Sequence, residues 1–157
     1  MQEQGRVSAE LEKKTVTLVI PTDLNADIND FAKKFGMSRN GLMRQCVKLR
    51  GLIGDLQFHS KATGGGTNVS VGKMALNGRE LDKYDHSQTD RVQLQVPLRE
   101  NSSLLNSALH AEESSNHYVN RSLAFAVALF AAVEKQGMSP VSGMDITIGD
   151  KTLGFYI

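Results

Sequence analysis

Hydrophobic and polar positions alternate strictly in two short stretches of this chain. In the first, Val16, Leu18 and Ile20 share one side while Thr15, Thr17 and Val19 share the other. In the second, Val92, Leu94 and Val96 alternate with Arg91, Gln93 and Gln95. A period of two is that of a half-buried strand. Each stretch stops at a proline, Pro21 or Pro97, which has no N–H to give to a ladder. Helical spacing follows in both places. Behind Pro21, Thr22 or Asp23 is expected to cap a helix carrying Leu24, Ile28, Phe31, Ala32 and Phe35, with Gly36 as its left-handed stop. Ser38 then opens a second helix on Leu42, Cys46, Val47 and Leu49, closed by Gly51. Behind Pro97, one helix carries Leu104, Leu105, Ala108 and Leu109. Ser114 or Ser115 opens a longer one that buries Val119, Leu123, Ala124, Val127 and Phe130 and ends at Gly137.

Strand, proline, helix, serine, helix therefore occurs twice, which is an internal repeat. The strands lie 76 residues apart; laying Ser38-Arg39-Asn40 over Ser115-Asn116-His117 makes the offset 77, one inserted residue. The expected organisation is an N-terminal arm (1–12), a first unit (13–50), a connector (51–90), a second unit (91–137) and a C-terminal segment (138–157). In the connector, Gly64-Gly65-Gly66 reads as a flexible point, and Asn77-Gly78 as a hairpin turn between Met74–Leu76 and Arg79–Leu81. The C-terminal segment offers a second hairpin about Gly149-Asp150, and the two hairpins are candidates to pair as a small accessory sheet. A lone strand with two short helices cannot bury its apolar face. The expected fold is accordingly α+β, with the two β-α-α units pairing within one chain around an antiparallel two-stranded ribbon.

The chain has 157 residues, 40% hydrophobic and 22% charged, an ordinary globular composition. Its longest apolar run, Leu123 to Val133, falls short of the roughly 18 residues that a membrane span needs. Met1–Lys14 has no apolar core of a secretory leader, so a cytoplasmic location is expected. A single cysteine, Cys46, rules out an internal disulfide and is expected to be a core thiol. His59, His86, His110 and His117 lack metal-ligand spacing, and Asp82, Asp85 and His86 read as solvated connector residues. The glycine run is not followed by the Lys-Ser/Thr of a phosphate loop. No metal, cofactor or catalytic arrangement is expected, and the protein is not expected to be an enzyme. Net charge is only +1, but Lys13–Arg50 holds eight Lys/Arg against three Asp, which suits an anionic partner.

A short strand followed by two helices, the second opened by serine, resembles the ribbon-helix-helix family of Arc, MetJ and CopG repressors. The resemblance covers Lys13–Arg50 and Arg91–Gln136. Two copies in one chain are similar to the tandem, TraY-type accessory proteins of the conjugative relaxosome. The resemblance implies that paired strands enter the major groove of double-stranded DNA while the second helices' N-termini hold flanking phosphates. The base-reading candidates are then Thr15, Thr17, Val19, Arg91, Gln93 and Gln95. Arg suits guanine O6 and N7, Gln suits adenine N6 and N7, and a Thr or Val methyl suits the thymine methyl. Lys13, Lys14, Ser38, Arg39, Ser115 and Asn116 are the phosphate-binding candidates. Arg44 and Arg121 fall at matched positions and read as packing or surface charge. The implied role is a plasmid transfer-origin factor or a transcriptional repressor. Its partners would be DNA and a relaxase or other transfer protein, as a pseudo-dimer within one chain with room for higher assembly on DNA. The alternative is an antitoxin-like interaction module using the tail 137–157, whose end Leu153–Ile157 is apolar.

Overall fold

The computed structural model describes residues 12–157. The N-terminal arm and the leader-free reading of Met1–Lys14 lie outside the described residues, apart from Glu12, Lys13 and Lys14. Among the described residues the fold is α+β, with four helices and two antiparallel sheets. Strand β1 (Lys13–Pro21) leads directly into α1 (Thr22–Phe35) and then α2 (Arg39–Ala62). Two short strands, β2 (Val69–Val71) and β3 (Met74–Leu76), and a single 3-10 turn at Glu80–Lys83 follow. Strand β4 (Thr89–Pro97) leads into α3 (Leu98–His110) and α4 (Ser115–Lys135), and a hairpin of β5 (Met144–Ile148) and β6 (Lys151–Phe155) completes the chain. No helix among the described residues is long and apolar enough to cross a membrane.

Strands β1 and β4 pair antiparallel as a two-stranded sheet of their own, with Thr17 opposite Gln93 at the centre. Its inner face, Leu18, Ile20, Val92, Leu94 and Val96, is buried beneath the helices, and Val16 is half-buried. The second sheet has the order β3-β2-β5-β6, so the connector hairpin and the C-terminal hairpin do join. This second sheet makes the fold more than two β-α-α units about one ribbon. Leu153, Phe155 and Ile157 of the apolar tail end pack partly buried against the core, while Tyr156 between them stays exposed.

Several local expectations are corrected. Gly51 does not close α2, which runs on to Ala62 across the boundary expected at residue 50. The buried Ile53 and the half-buried Leu56 continue its apolar side. Packing outweighs the ~1 kcal/mol that each internal glycine costs. The connector hairpin turns at Gly72-Lys73, where Gly72 has φ of +57°, rather than at Asn77-Gly78. There the Asn77 side chain accepts from Arg79 N and Glu80 from Gly78 N, which bends the chain into the 3-10 turn. Neither Thr22 nor Asp23 caps α1: Pro21 takes the cap position, and Thr22 gives its hydroxyl to Asp90 at 3.1 Å. On α3 only Leu104 and Ala108 are buried; Leu105 and Leu109 are exposed.

Ser114, not Ser115, caps α4, accepting from His117 N at 3.1 Å as Ser38 accepts from Gly41 N at 3.0 Å. The 76-residue offset of the strands therefore holds through the second helices with no inserted residue, and Arg44 corresponds to Asn120 rather than Arg121. That offset also relates two interhelical grooves. Between α1 and α4, Phe31, Phe35 and Phe130 fill the space, their ring centroids 5.3–5.5 Å apart. Lys34 and Glu134 close the rim with a 2.8 Å ion pair. The positions related by 76 residues on the α2/α3 side are Ser107, Ala111 and Gly54, and Ser107 lines a groove of about 590 Å³ that stands open there.

Candidate nucleic-acid interface

Alternation along the two-stranded sheet decides which side chains leave it. With Leu18, Ile20, Val92, Leu94 and Val96 turned inward, Thr15, Thr17 and Val19 must turn outward with Arg91, Gln93 and Gln95. All six are exposed. The register sets Thr15 opposite Gln95, Thr17 opposite Gln93 and Val19 opposite Arg91. The outer face is therefore a ladder of three pairs, each with a short side chain on β1 and a long hydrogen-bonding one on β4. Lys13 has the same parity as Thr15 and opens that face at one end; Lys13 and Lys14 are both exposed.

The second helices are tied to the ribbon by asparagines. Asn40, in the first turn of α2, donates to Gln95 O at 2.9 Å and accepts from Gln95 N at 2.8 Å. Asn116, its counterpart in α4, accepts from Val19 N at 2.8 Å, and Asn120 donates to Val19 O at 2.9 Å. Each second helix thus grips the strand of the other half. Gln95 faces Thr15 and Val19 faces Arg91, so the two helix starts sit toward opposite ends of the ribbon. These bonds satisfy backbone groups on the outer edge of a two-stranded sheet, which has no further strand to do so.

At each helix start the serine cap takes the third N–H. The N–H groups of Arg39 and Asn40, and of Ser115 and Asn116, then have no partner within the helix. Neither helix carries an acidic residue in its first turn. A helix start so arranged favours an anion. Arg39 is half-buried and leans toward Asn25 at 3.5 Å, and Asn25 in turn donates to Asp90 at 2.9 Å. Ser115 stands one place inside the helix rather than at its cap, and the Asn116 side-chain oxygen Oδ1 is turned onto Val19 N. The structure thus gathers Thr15, Thr17, Val19, Arg91, Gln93 and Gln95 on one face and sets Ser38, Arg39, Ser115 and Asn116 at the two flanking helix starts.

Sequence reasoning missed Asn40 and Asn120, and read Asn116 without its strand bond. The available signal was an Asn two residues after the capping Ser in both second helices, 76 residues apart. Arg44 and Arg121 do not reach outward: Arg44 is paired with Glu100 at 2.7 Å, and Arg121 with Glu113. Elsewhere, Asp85 binds Ser87 and His86 meets Leu81 O, so Asp82, Asp85 and His86 do not converge. The Ser87 hydroxyl and N–H hold the Asp85 carboxyl below its ordinary range. Cys46 is fully buried, which pushes its thiol far up. Among the described residues, no group of three or more His, Cys, Asp or Glu gathers as a metal site.

Fold and site together define an α+β protein with an exposed two-stranded ribbon set between two helix N-termini. Over 38 residues, 24% of this chain and 73% of the relative, the sequence is 44% identical to Protein RepA of Lactiplantibacillus plantarum. Through that segment the chain belongs to the family of this protein. No family model matches the chain, and no solved structure matches it.

Proposed function

We propose that this chain is a sequence-specific double-stranded DNA-binding protein of the tandem ribbon-helix-helix type. The reading rests above all on the register of β1 and β4, which lines up Thr15, Thr17 and Val19 with Gln95, Gln93 and Arg91 on one exposed face. A two-stranded ribbon fits the major groove, about 12 Å wide, and Arg and Gln suit purine edges there. The free N–H groups at the two helix starts hold the phosphates on either side, with Lys13 and Lys14 adding charge. The likeness to Protein RepA points the same way, toward plasmid-associated DNA binding. The protein works by occupying its site, not by catalysis, either as a relaxosome accessory factor at a transfer origin or as a repressor. It acts in the cytoplasm, where a relaxase or another transfer protein is a partner in the first of these roles.

The test is selection of bound duplexes from a random pool, followed by titration at salt concentrations between about 50 and 200 mM. The expected result is an enriched sequence bound far more tightly than its scrambled form, with affinity falling steeply as salt rises. Equal affinity for the enriched and scrambled duplexes, or binding indifferent to salt, would overturn the proposal.

A further inference from the structure

The open groove between α2 and α3 is walled by a helix face that is complementary to itself. Lys48 and Asp55 are both exposed on α2, and among the described residues neither takes part in an ion pair. Seven residues is two helical turns, so the two charges stand on one face, about 10 Å apart along the axis. Between them lie Leu52, 37% exposed, and Gly51, where an added Cβ would meet nothing within 4 Å. One turn beyond Asp55, Phe58 is 72% exposed. All of Lys48, Gly51, Leu52 and Asp55 line the groove.

We propose that this face is where a second copy of the chain docks, with the two α2 helices antiparallel across a two-fold axis. In that arrangement Lys48 of each copy meets Asp55 of the other. Leu52 sits over Gly51, where the missing side chain lets the backbones approach. Phe58 of each copy reaches past Lys48 toward the Arg44–Val47 end of the other's groove. That groove lacks the aromatic filling that its counterpart has in Phe31, Phe35 and Phe130, and Phe58 returns an aromatic ring to it. The charge order, plus at one end and minus at the other, matches an antiparallel copy and opposes a parallel one. An interface of this kind is isologous and closes at two copies. It lies on the helices, and it does not rest on the DNA-binding reading.

Analytical ultracentrifugation of the full chain without DNA, from about 1 to 100 µM, tests the proposal. The expected result is a reversible monomer–dimer equilibrium. Lys48→Asp and Asp55→Lys should each weaken it by roughly tenfold, since each reverses two symmetric attractions. An equimolar mixture of these two variants should dimerise as tightly as the wild type, because every pair across the axis is again of opposite sign. The double variant carrying both changes should also recover. Circular dichroism on each variant keeps lost folding apart from lost pairing. A wild type that stays monomeric throughout overturns the proposal. So does a dimer indifferent to either reversal, or a mixture of variants that fails to recover.

Discussion

Between α1 and α4 three phenylalanine rings pack within 5.5 Å of one another, and between α2 and α3 the corresponding positions are Ser107, Ala111 and Gly54. The same strand-helix-helix order thus gives one side of the molecule a filled seam and the other an open groove. Phe130 is fully buried, whereas the open groove is lined by Ser107 and by Leu52, which is 37% exposed. Aromatic packing joins the core on the α1/α4 side, and the α2/α3 side presents a surface.

The comparison can be broken or sharpened by substitution. The largest effect is expected from Phe130→Ala, which empties the filled seam and should cost about 3–5 kcal/mol in denaturant unfolding. A loss below about 1 kcal/mol would mean that the seam contributes little. Next comes Asn120→Ala. It removes a buried side chain that donates to Val19 O and should cost about 1–3 kcal/mol, more than Asn40→Ala, whose side chain is half-buried. An equal cost at the two sites would show that burial does not separate the two helix grips. On the open side, Ser107→Phe has room for its ring and should change stability by less than about 1 kcal/mol in either direction, as thermal unfolding would reveal. Smallest of all, Lys34→Ala removes a rim ion pair whose lysine is 56% exposed, and should cost only about 0.2–1 kcal/mol, diminishing as salt is added. The outward ribbon positions provide a control. Arg91→Ala and Gln93→Ala should leave stability within about 0.5 kcal/mol, yet relax base preference by about 1–3 kcal/mol at one or two positions in binding selection.

Much of the ribbon was legible in the sequence because a period of two fixes the face of every residue once one face is buried. Leu18 and Leu94 could only point inward, and the exposure of Thr17 and Gln93 followed. Gly36 was equally legible, since its φ of +68° is what a left-handed helix stop requires. Gly51 misled because local propensity is weak against tertiary burial: Ile53, two residues on, is fully buried and carries the helix past it. Asn77-Gly78 misled because the Asn77 side chain satisfied Arg79 locally instead of turning a strand. The asparagine grips depend on a strand some 55 to 100 residues away, a separation that no periodicity reports. The exposure of Leu105 and Leu109 was hidden for a related reason. Their helical spacing shows apolar positions, but whether a neighbour covers them is set by tertiary packing, which spacing does not report.

The unlike edges of the ribbon have a consequence for orientation. A ribbon made of two identical strands looks the same when turned end for end, and a duplex cannot tell one placement from the other. Here short side chains run along β1 and long ones along β4, so a half turn exchanges Thr15 with Arg91 and Val19 with Gln95. Once seated in a groove, such a ribbon has a front and a back. Whatever stands on its helices is then delivered to one chosen side of the bound sequence. In the proposed DNA-binding role the chain would mark a direction along the duplex as well as a place.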